Sequence, residues 1–396
     1  MRRVLFVSNG HGESTIAERI AREIPGLAPI PFGLDHLALV GEPRDGVLAT
    51  VGPRRTMPSG GLVAMGNVRA FVRDLRAGFA TLFASQIGFL RSQGRRYDCV
   101  VAVGDVYALA LARLVRRPTI FVGTAKSVYV APYGLLERRF LRRAARVFVR
   151  DRATGAHLRA HGVAAEAPGN TIVDLADDAP RPPLELASGD FIGVLPGSRA
   201  SAYVDAVRLC SVIRALGEQI AMPRALLSIA PWLEPERFAA ALAGDGWVIE
   251  PVAAPGEVAF CGRAGAATLI AWRGALGTLI AASCMVLGQA GTANEQAAAA
   301  GLPVVALESD RPPVARTAGA EWYRMRQGRL LGDALALVPA APRPAADAIA
   351  GILANPARLE QMRQAGRERM GPHGGSRAIA NAIVETALGG DESVSL

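Results

Sequence analysis

A guanidinium and a hydroxyl directly follow a short apolar run in Phe191-Ile192-Gly193-Val194-Leu195-Pro196-Gly197-Ser198-Arg199. The planar fork of Arg199 matches phosphate oxygens, and Ser198 and the amides of the turn at Gly197 add donors, so the stretch suits an anion. The alternative is a plain Pro-Gly turn carrying a solvated arginine. A second stretch, Gly291-Thr292-Ala293-Asn294-Glu295, opens an alanine-rich segment that closes at Gly301. Glycine at a helix start lets a ligand approach the backbone, where free amides and the helix dipole favour a diphosphate. Glu295, one turn in, can accept hydrogen bonds from ribose hydroxyls. The same Thr292-x-x-Glu295 spacing is also a capping box, which stabilises a helix with no ligand present.

Two further stretches could move protons. In Ser8-Asn9-Gly10-His11-Gly12-Glu13-Ser14, glycines flank one of the chain's five histidines. They allow the imidazole to project from the loop, and an imidazole is the natural general base near neutral pH; a solvent-facing loop histidine is the alternative. Asp105 follows the apolar run 99–103 in Val103-Gly104-Asp105. It can orient His11 or serve as the base itself, and it can equally be the N-cap of the helix that follows. Glu13 is the next candidate for the base.

These stretches need rigid elements beneath them. Apolar runs at 4–7, 99–103, 119–122 and 147–149, and again at 191–195, 225–229, 285–287 and 303–307, alternate with segments of helical period. Such runs predict strands buried on both faces of a parallel sheet. The rhythm occurs twice, on either side of a polar, proline-rich stretch at 174–184. The expectation is an α/β protein of two Rossmann-like domains with parallel sheets facing across a cleft. An N-terminal domain covers 1–172, a linker 173–190, and a C-terminal domain 191–396, including the helical segment at 345–388. Every candidate residue then falls at the carboxyl end of a strand, where ligands of such sheets gather.

Composition narrows the partners. With 51% hydrophobic and 20% charged residues the chain belongs to the folded class. Its net charge of +9 comes almost entirely from arginine, which suits phosphate, an anionic membrane surface or nucleic acid, although a high-GC coding sequence produces the same excess. The basic residues are not interleaved with aromatics and form no nucleic-acid module, so no nucleic-acid partner is expected. Arg138, Arg139, Arg142, Arg143, Arg146, Arg150 and Arg152 crowd one short stretch, and residues 67–91 form an arginine-dotted amphipathic segment. Either can lie on an anionic bilayer, or pack on the core with a solvated arginine face. The four cysteines lie far apart with no metal-ligand spacing, which predicts reduced thiols and no metal. The most apolar window, 276–287, is too short to span a bilayer and predicts a helix leading into a strand. The basic N-terminus runs straight into a strand rather than a signal peptide, so the expected location is the cytoplasm, peripherally associated with the inner face of the membrane.

Leu195-Pro196-Gly197-Ser198-Arg199, together with Gly291-Thr292-Ala293-Asn294-Glu295 and the Ala-Gly-Leu-Pro-Val-Val at 300–305, resembles lipid-A-disaccharide synthase and its related proteins, a family of GT-B glycosyltransferases. The likeness extends in order through the first loop, the Gly104-Asp105 turn and Pro168-Gly169-Asn170-Thr171. It implies metal-independent, inverting transfer of a sugar from a UDP donor, with no cofactor, to a lipid-linked acceptor. Gly197, Ser198, Arg199, Gly291, Thr292, Asn294 and Glu295 would then form the donor site, and His11, Asp105 or Glu13 would supply the base. The first loop departs from the Gly-Glu-x-Ser-Gly-Asp pattern of the true synthases, which places the chain in a synthase-related branch. Gly169-Asn170-Thr171-Ile172-Val173-Asp174 is similar to a Gly-Asn-Thr-x-x-Asp stretch of the non-hydrolysing UDP-N-acetylglucosamine 2-epimerases, but their His-Arg-x-Glu-Asn stretch is absent. An epimerase is therefore the alternative activity, and a non-catalytic nucleotide-sugar or nucleic-acid binder a third.

Overall fold

The apolar runs become strands because each is buried from both sides. In the computed structural model Val4, Leu5, Phe6 and Val7 have no exposure, nor do Val100, Val101, Ala102 and Val103. The structure describes residues 1–39, 46–55, 75–93, 96–124, 126–176, 190–199, 201–252, 256–308 and 326–389. It divides the chain into two units, Met1–Asp174 with Gly371–Leu396, and Leu175–Met370.

The first unit holds β1 (Arg2–Ser8), β2 (Phe32–Ala38), β3 (Ala49–Thr50), β4 (Cys99–Gly104), β5 (Thr119–Gly123), β6 (Arg146–Val149) and β7 (Ala165–Glu166). They form one all-parallel sheet in the order β3-β2-β1-β4-β5-β6-β7. The order reverses between β1 and β4, and the register pairs Ser8 with Val103, which brings the two strands' last residues side by side.

The helix Gly375–Leu388 belongs to this unit, where the sequence reading placed 371–396 with the C-terminal domain. Two local causes fix it there. The Asp174 carboxylate accepts from the Gly374 and Ser376 amides at 2.7 and 2.6 Å, satisfying donors at the helix start. At Gly169 a side chain would meet Gly375 N at 2.7 Å and Pro372 O at 2.9 Å, so only glycine lets the two backbones touch. Ile379, Ala380, Ile383 and Ala387 are buried on its inner face. The Gly169–Asp174 passage, which resembles an epimerase stretch, thus has an anchoring role inside one unit.

The second unit holds β8 (Phe191–Leu195), β9 (Arg224–Ser228), β10 (Val248–Pro251), β11 (Val258–Ala264), β12 (Ala267–Trp272), β13 (Ser283–Gly288), β14 (Val304–Leu307) and β15 (Leu335–Val338). Their order is β10-β11-β12-β9-β8-β13-β14-β15, parallel from β12 to β15. The parallel pattern stops at one edge, where β11 runs antiparallel to both β10 and β12. β11 and β12 form a hairpin closed at Gly265, whose φ of +59° suits a tight turn. Order reverses between β8 and β13, and Leu195 pairs with Gly288.

Several expectations meet the structure here. The window at 276–287 is a helix, Leu276–Ala281, leading into β13. The helix Phe79–Ser92 buries Leu82 and Leu90 and packs Phe79, Phe83, Ile87 and Phe89 on the core, so over 79–91 the core-packed alternative holds; residues 67–74 lie outside the described residues, as does 177–189 of the linker. Cys99 and Cys210 are buried, Cys261 and Cys284 half-buried, and all four are free thiols. Among the described residues no helix is long and apolar enough to cross a membrane.

Candidate functional site

In the second unit the two sequence stretches meet at the strand-order reversal, the place where parallel α/β sheets open a crevice for ligands. The Gln289 amide donates to Leu195 O at 2.9 Å, so the loop after β13 lies against the loop after β8. Gly197 has φ +105°, a left-handed conformation that strains any residue with a Cβ. No atom of the described residues lies within 4 Å of where a Cβ would stand at Gly197 or at Gly291. Ser198 and Arg199 are exposed, and the Ser198 carbonyl accepts from the Trp232 indole N–H at 2.8 Å, which pins the turn.

The helix Thr292–Ala299 begins at this crevice. Its N-cap is Gly291, and no side chain caps it. The capping box that Thr292 and Glu295 could have formed is therefore not made, which leaves the first-turn amides available to a ligand. Glu295 is buried and pairs with Arg326 at 3.4 Å. Asn294 is fully buried; its Nδ2 donates to Gly288 O at 3.1 Å and to Gln327 Oε1 at 3.2 Å. Gln327 in turn donates to Ala290 O at 2.8 Å and Gly291 O at 2.7 Å. Asn294 and Gln327 shape the loop from beneath, while Gly197, Ser198, Arg199, Gly291 and Thr292 present its surface. Nothing in the local sequence around Gln327 signals this part, because its partners lie more than thirty residues earlier.

The first unit repeats the arrangement at β1 and β4. Gly104 has φ +128°, and a Cβ there would fall 2.4 Å from Asn9 Oδ1 and 3.1 Å from Glu13 Cγ. Glycine is thus required both by backbone and by the approach of Asn9 and Glu13. A Cβ on Gly10 would likewise stand 2.5 Å from Glu13 Oε2, so that carboxylate lies over the loop. Asp105 accepts from the Tyr107 and Ala108 amides at 3.0 and 3.2 Å and caps the helix Val106–Ala112. Burial pushes its carboxyl above the ordinary value, opposed by the Ala108 and Tyr107 amides and by a hydrogen bond from Asn9. Asp105 is both an N-cap and a carboxylate with raised proton affinity, the property expected of a general base.

His11 is the first residue of the helix His11–Glu23, and its side chain lies outside the described residues. Beneath the loop lies a polar layer that sequence reasoning missed. Ser8 Oγ stands 2.8 Å from His36 Nε2 and 2.9 Å from Ser14 Oγ, and Ser14 donates to Gly10 O at 2.9 Å. Burial takes the His36 imidazole down to about 4, which keeps it neutral at physiological pH. Asn9 also escaped notice as a site residue. The sequence signal was its place beside Gly10, but its partner Asp105 is nearly a hundred positions away.

No family model matches the chain, and no curated protein matches it. Solved structures do. Over 98% of this chain and all of the other, it is similar to the UDP-GlcNAc 2-epimerase of Neisseria meningitidis bound to UDP-GlcNAc, at 14% identity and a TM-score of 0.57. It is similar to Acinetobacter baumannii MurG at 14% identity and a TM-score of 0.53, covering 97% of this chain and 99% of that one. It is also similar to CalG4, the calicheamicin glycosyltransferase, at 16% identity and a TM-score of 0.59 over the whole of both chains. The chain shares with them the GT-B fold of two Rossmann-like α/β domains.

Proposed function

We propose that this protein is an inverting glycosyltransferase that moves a sugar from a UDP-sugar to a lipid-linked acceptor. The observation that carries the reading is the crevice between β8 and β13, where exposed Ser198 and Arg199 stand on the loop after β8 and a helix start with no side-chain cap stands on the adjoining loop after β13. A nucleotide diphosphate is the ligand such donors fit. Arg199, Ser198 and the amides from Thr292 onward would hold the diphosphate and stabilise the charge that develops on it as it leaves, with no metal needed. Glu295 would reach the ribose from its pairing with Arg326. Asp105 or His11, with Glu13 next, would take the proton of the acceptor hydroxyl. The Neisseria structure holds UDP-GlcNAc, which makes that the first donor to try.

The 2-epimerase reading keeps a specific support, since structures named as such enzymes share the fold. One experiment separates the two: the protein is mixed with UDP-GlcNAc and a bacterial lipid extract, and products are followed by UDP release and mass measurement. A transferase releases UDP and adds a sugar mass to a lipid only when extract is present. An epimerase yields an isomeric UDP-sugar without extract. Binding of UDP-GlcNAc with neither product would leave a non-catalytic nucleotide-sugar binder.

A further inference from the structure

The helix Leu135–Leu141 of the first unit presents an unusual outer face. At about 100° per residue, Arg142, Leu135, Arg139, Arg143, Leu136 and Phe140 fall within an arc of about 160°, and all six are exposed. Leu135 and Leu136 are 78% and 75% exposed, and with Phe140 at 38% they form a contiguous apolar group rather than a lone surface leucine. The inner face is ordinary: Leu141 is fully buried, and Glu137 pairs with Lys126 at 2.6 Å and accepts from the Gly134 amide. The only acid of the helix is thereby turned away from the outer arc.

Around the end of that helix the charge continues. Arg142 and Arg143 line a shallow depression of about 480 Å³ with Arg113, Arg116 and Arg117, at the amino ends of β5 and β6. No carboxylate lines it. Arg142 spends its donors on the carbonyls of His161 and Gly162, which leaves its charge uncompensated. Arg113, Arg116 and Arg143 form no ion pair among the described residues. Arg116 even holds a left-handed backbone, φ +59°, where glycine or asparagine would be less strained.

We infer that this face, Leu135, Leu136 and Phe140 flanked by the arginine depression, docks the protein on an anionic phospholipid bilayer. Charge complementarity points to that partner: clustered guanidiniums with no acid among them attract lipid phosphates, and the bare leucines need an apolar layer directly beneath the charge. A free polyanion would use the arginines and leave the leucines unexplained. The inference rests on the lipid-linked acceptor reading only for its purpose. Vesicle binding tests it without substrate, while UDP release with a detergent-dispersed acceptor tests the other, so either can fail alone.

The experiment is flotation of the full chain with phosphatidylglycerol–phosphatidylethanolamine vesicles and with phosphatidylcholine vesicles, at low and high salt. Binding is expected on the anionic vesicles only and should weaken as salt rises. Leu135→Gln with Leu136→Gln should lower partitioning at least tenfold, and Arg139→Gln and Arg143→Gln about fivefold each. These side chains are exposed, so thermal unfolding should not change, which separates lost docking from lost fold. Equal binding to both vesicle types, no binding to either, or loss on arginine replacement with the leucine pair inert would overturn the inference. The last outcome, with matching salt-sensitive binding to an oligonucleotide, would make the face a polyanion site instead.

Discussion

Asp105 offers a test in which stability and chemistry move in opposite directions. Its Oδ1 accepts from two amides of the first helical turn. Asp105→Ala removes that cap and should cost about 1 kcal/mol of stability. In Asp105→Asn the amide oxygen can accept the same two hydrogen bonds, so the cap stays. Burial raises the carboxyl's pKa in the folded state. A raised carboxylate pKa means that the folded protein binds more protons than the unfolded chain between the two values, so stability falls as pH rises through that window and the penalty is complete above it. Removing the ionisable group lifts the penalty. Asp105→Asn should therefore be as stable as the parent or more so at pH 7, with the gap closing as pH falls below 4. If Asp105 is the base, the same variant loses turnover by about 10²–10⁴-fold, some 2.7–5.5 kcal/mol in the barrier. Urea unfolding and UDP release on the same preparations decide. A stable Asp105→Asn that turns over at the parental rate refutes the base assignment and leaves Asp105 a cap. If His11 is the base and Asp105 its partner, adding His11→Ala to Asp105→Asn should cost little more, since groups acting as a unit are not additive.

Other expectations follow from single contacts. Arg199→Ala should weaken UDP binding by at least tenfold in calorimetry while hardly changing uridine binding; equal effects on both would exclude a phosphate role. Gly169→Ala drives a Cβ to 2.7 Å from Gly375 N, and should destabilise the first unit by about 1–3 kcal/mol in urea unfolding. Asp174→Ala should loosen the helix Gly375–Leu388 selectively, read as faster amide exchange there than elsewhere. His36 is buried neutral with its pKa lowered to about 4, so its contribution is present above pH 6.5 and lost as pH falls toward 4. Relative to His36→Gln, the parent should lose roughly 3 kcal/mol of stability across that window, and parallel pH profiles for the two would contradict the assignment.

What the sequence could show depended on how far apart the partners were. The strands 4–7, 99–103 and 191–195 were legible because burial on both faces writes an uninterrupted apolar run. β2 was not, because Asp35 and His36 interrupt it. Both are buried there, Asp35 accepting from Tyr97 at 2.7 Å and Arg3 at 2.6 Å, His36 beside Ser8. A strand that buries polar groups against partners elsewhere in the chain looks like a loop in one dimension. The β10–β12 edge was missed for a related reason: the hairpin signal is the single Gly265 among alanines, and its antiparallel pairing is invisible to a reading tuned to parallel runs.

The candidate sites show the same rule at higher resolution. The loop-surface residues Gly197, Ser198, Arg199, Gly291 and Thr292 could be singled out because each lies within four positions of a strand's end, and the end of a strand can be read locally. Asn294 sits in the same motif, yet the structure buries it completely beneath the loop. Sequence spacing cannot tell a side chain that touches a ligand from one that shapes the loop holding it. The difference lies in Gln327, which completes the support from a different segment of the chain. It follows that Asn294→Ala should act indirectly. The Gly291 turn would lose its support and UDP affinity would fall together with stability, by about 1–3 kcal/mol for the Gly288 carbonyl and Gln327 Oε1 left without their donor. Arg199→Ala should lower affinity with stability unchanged. If Asn294→Ala weakened UDP binding at full stability, Asn294 would be a ligand contact, and the division between surface and support would be wrong.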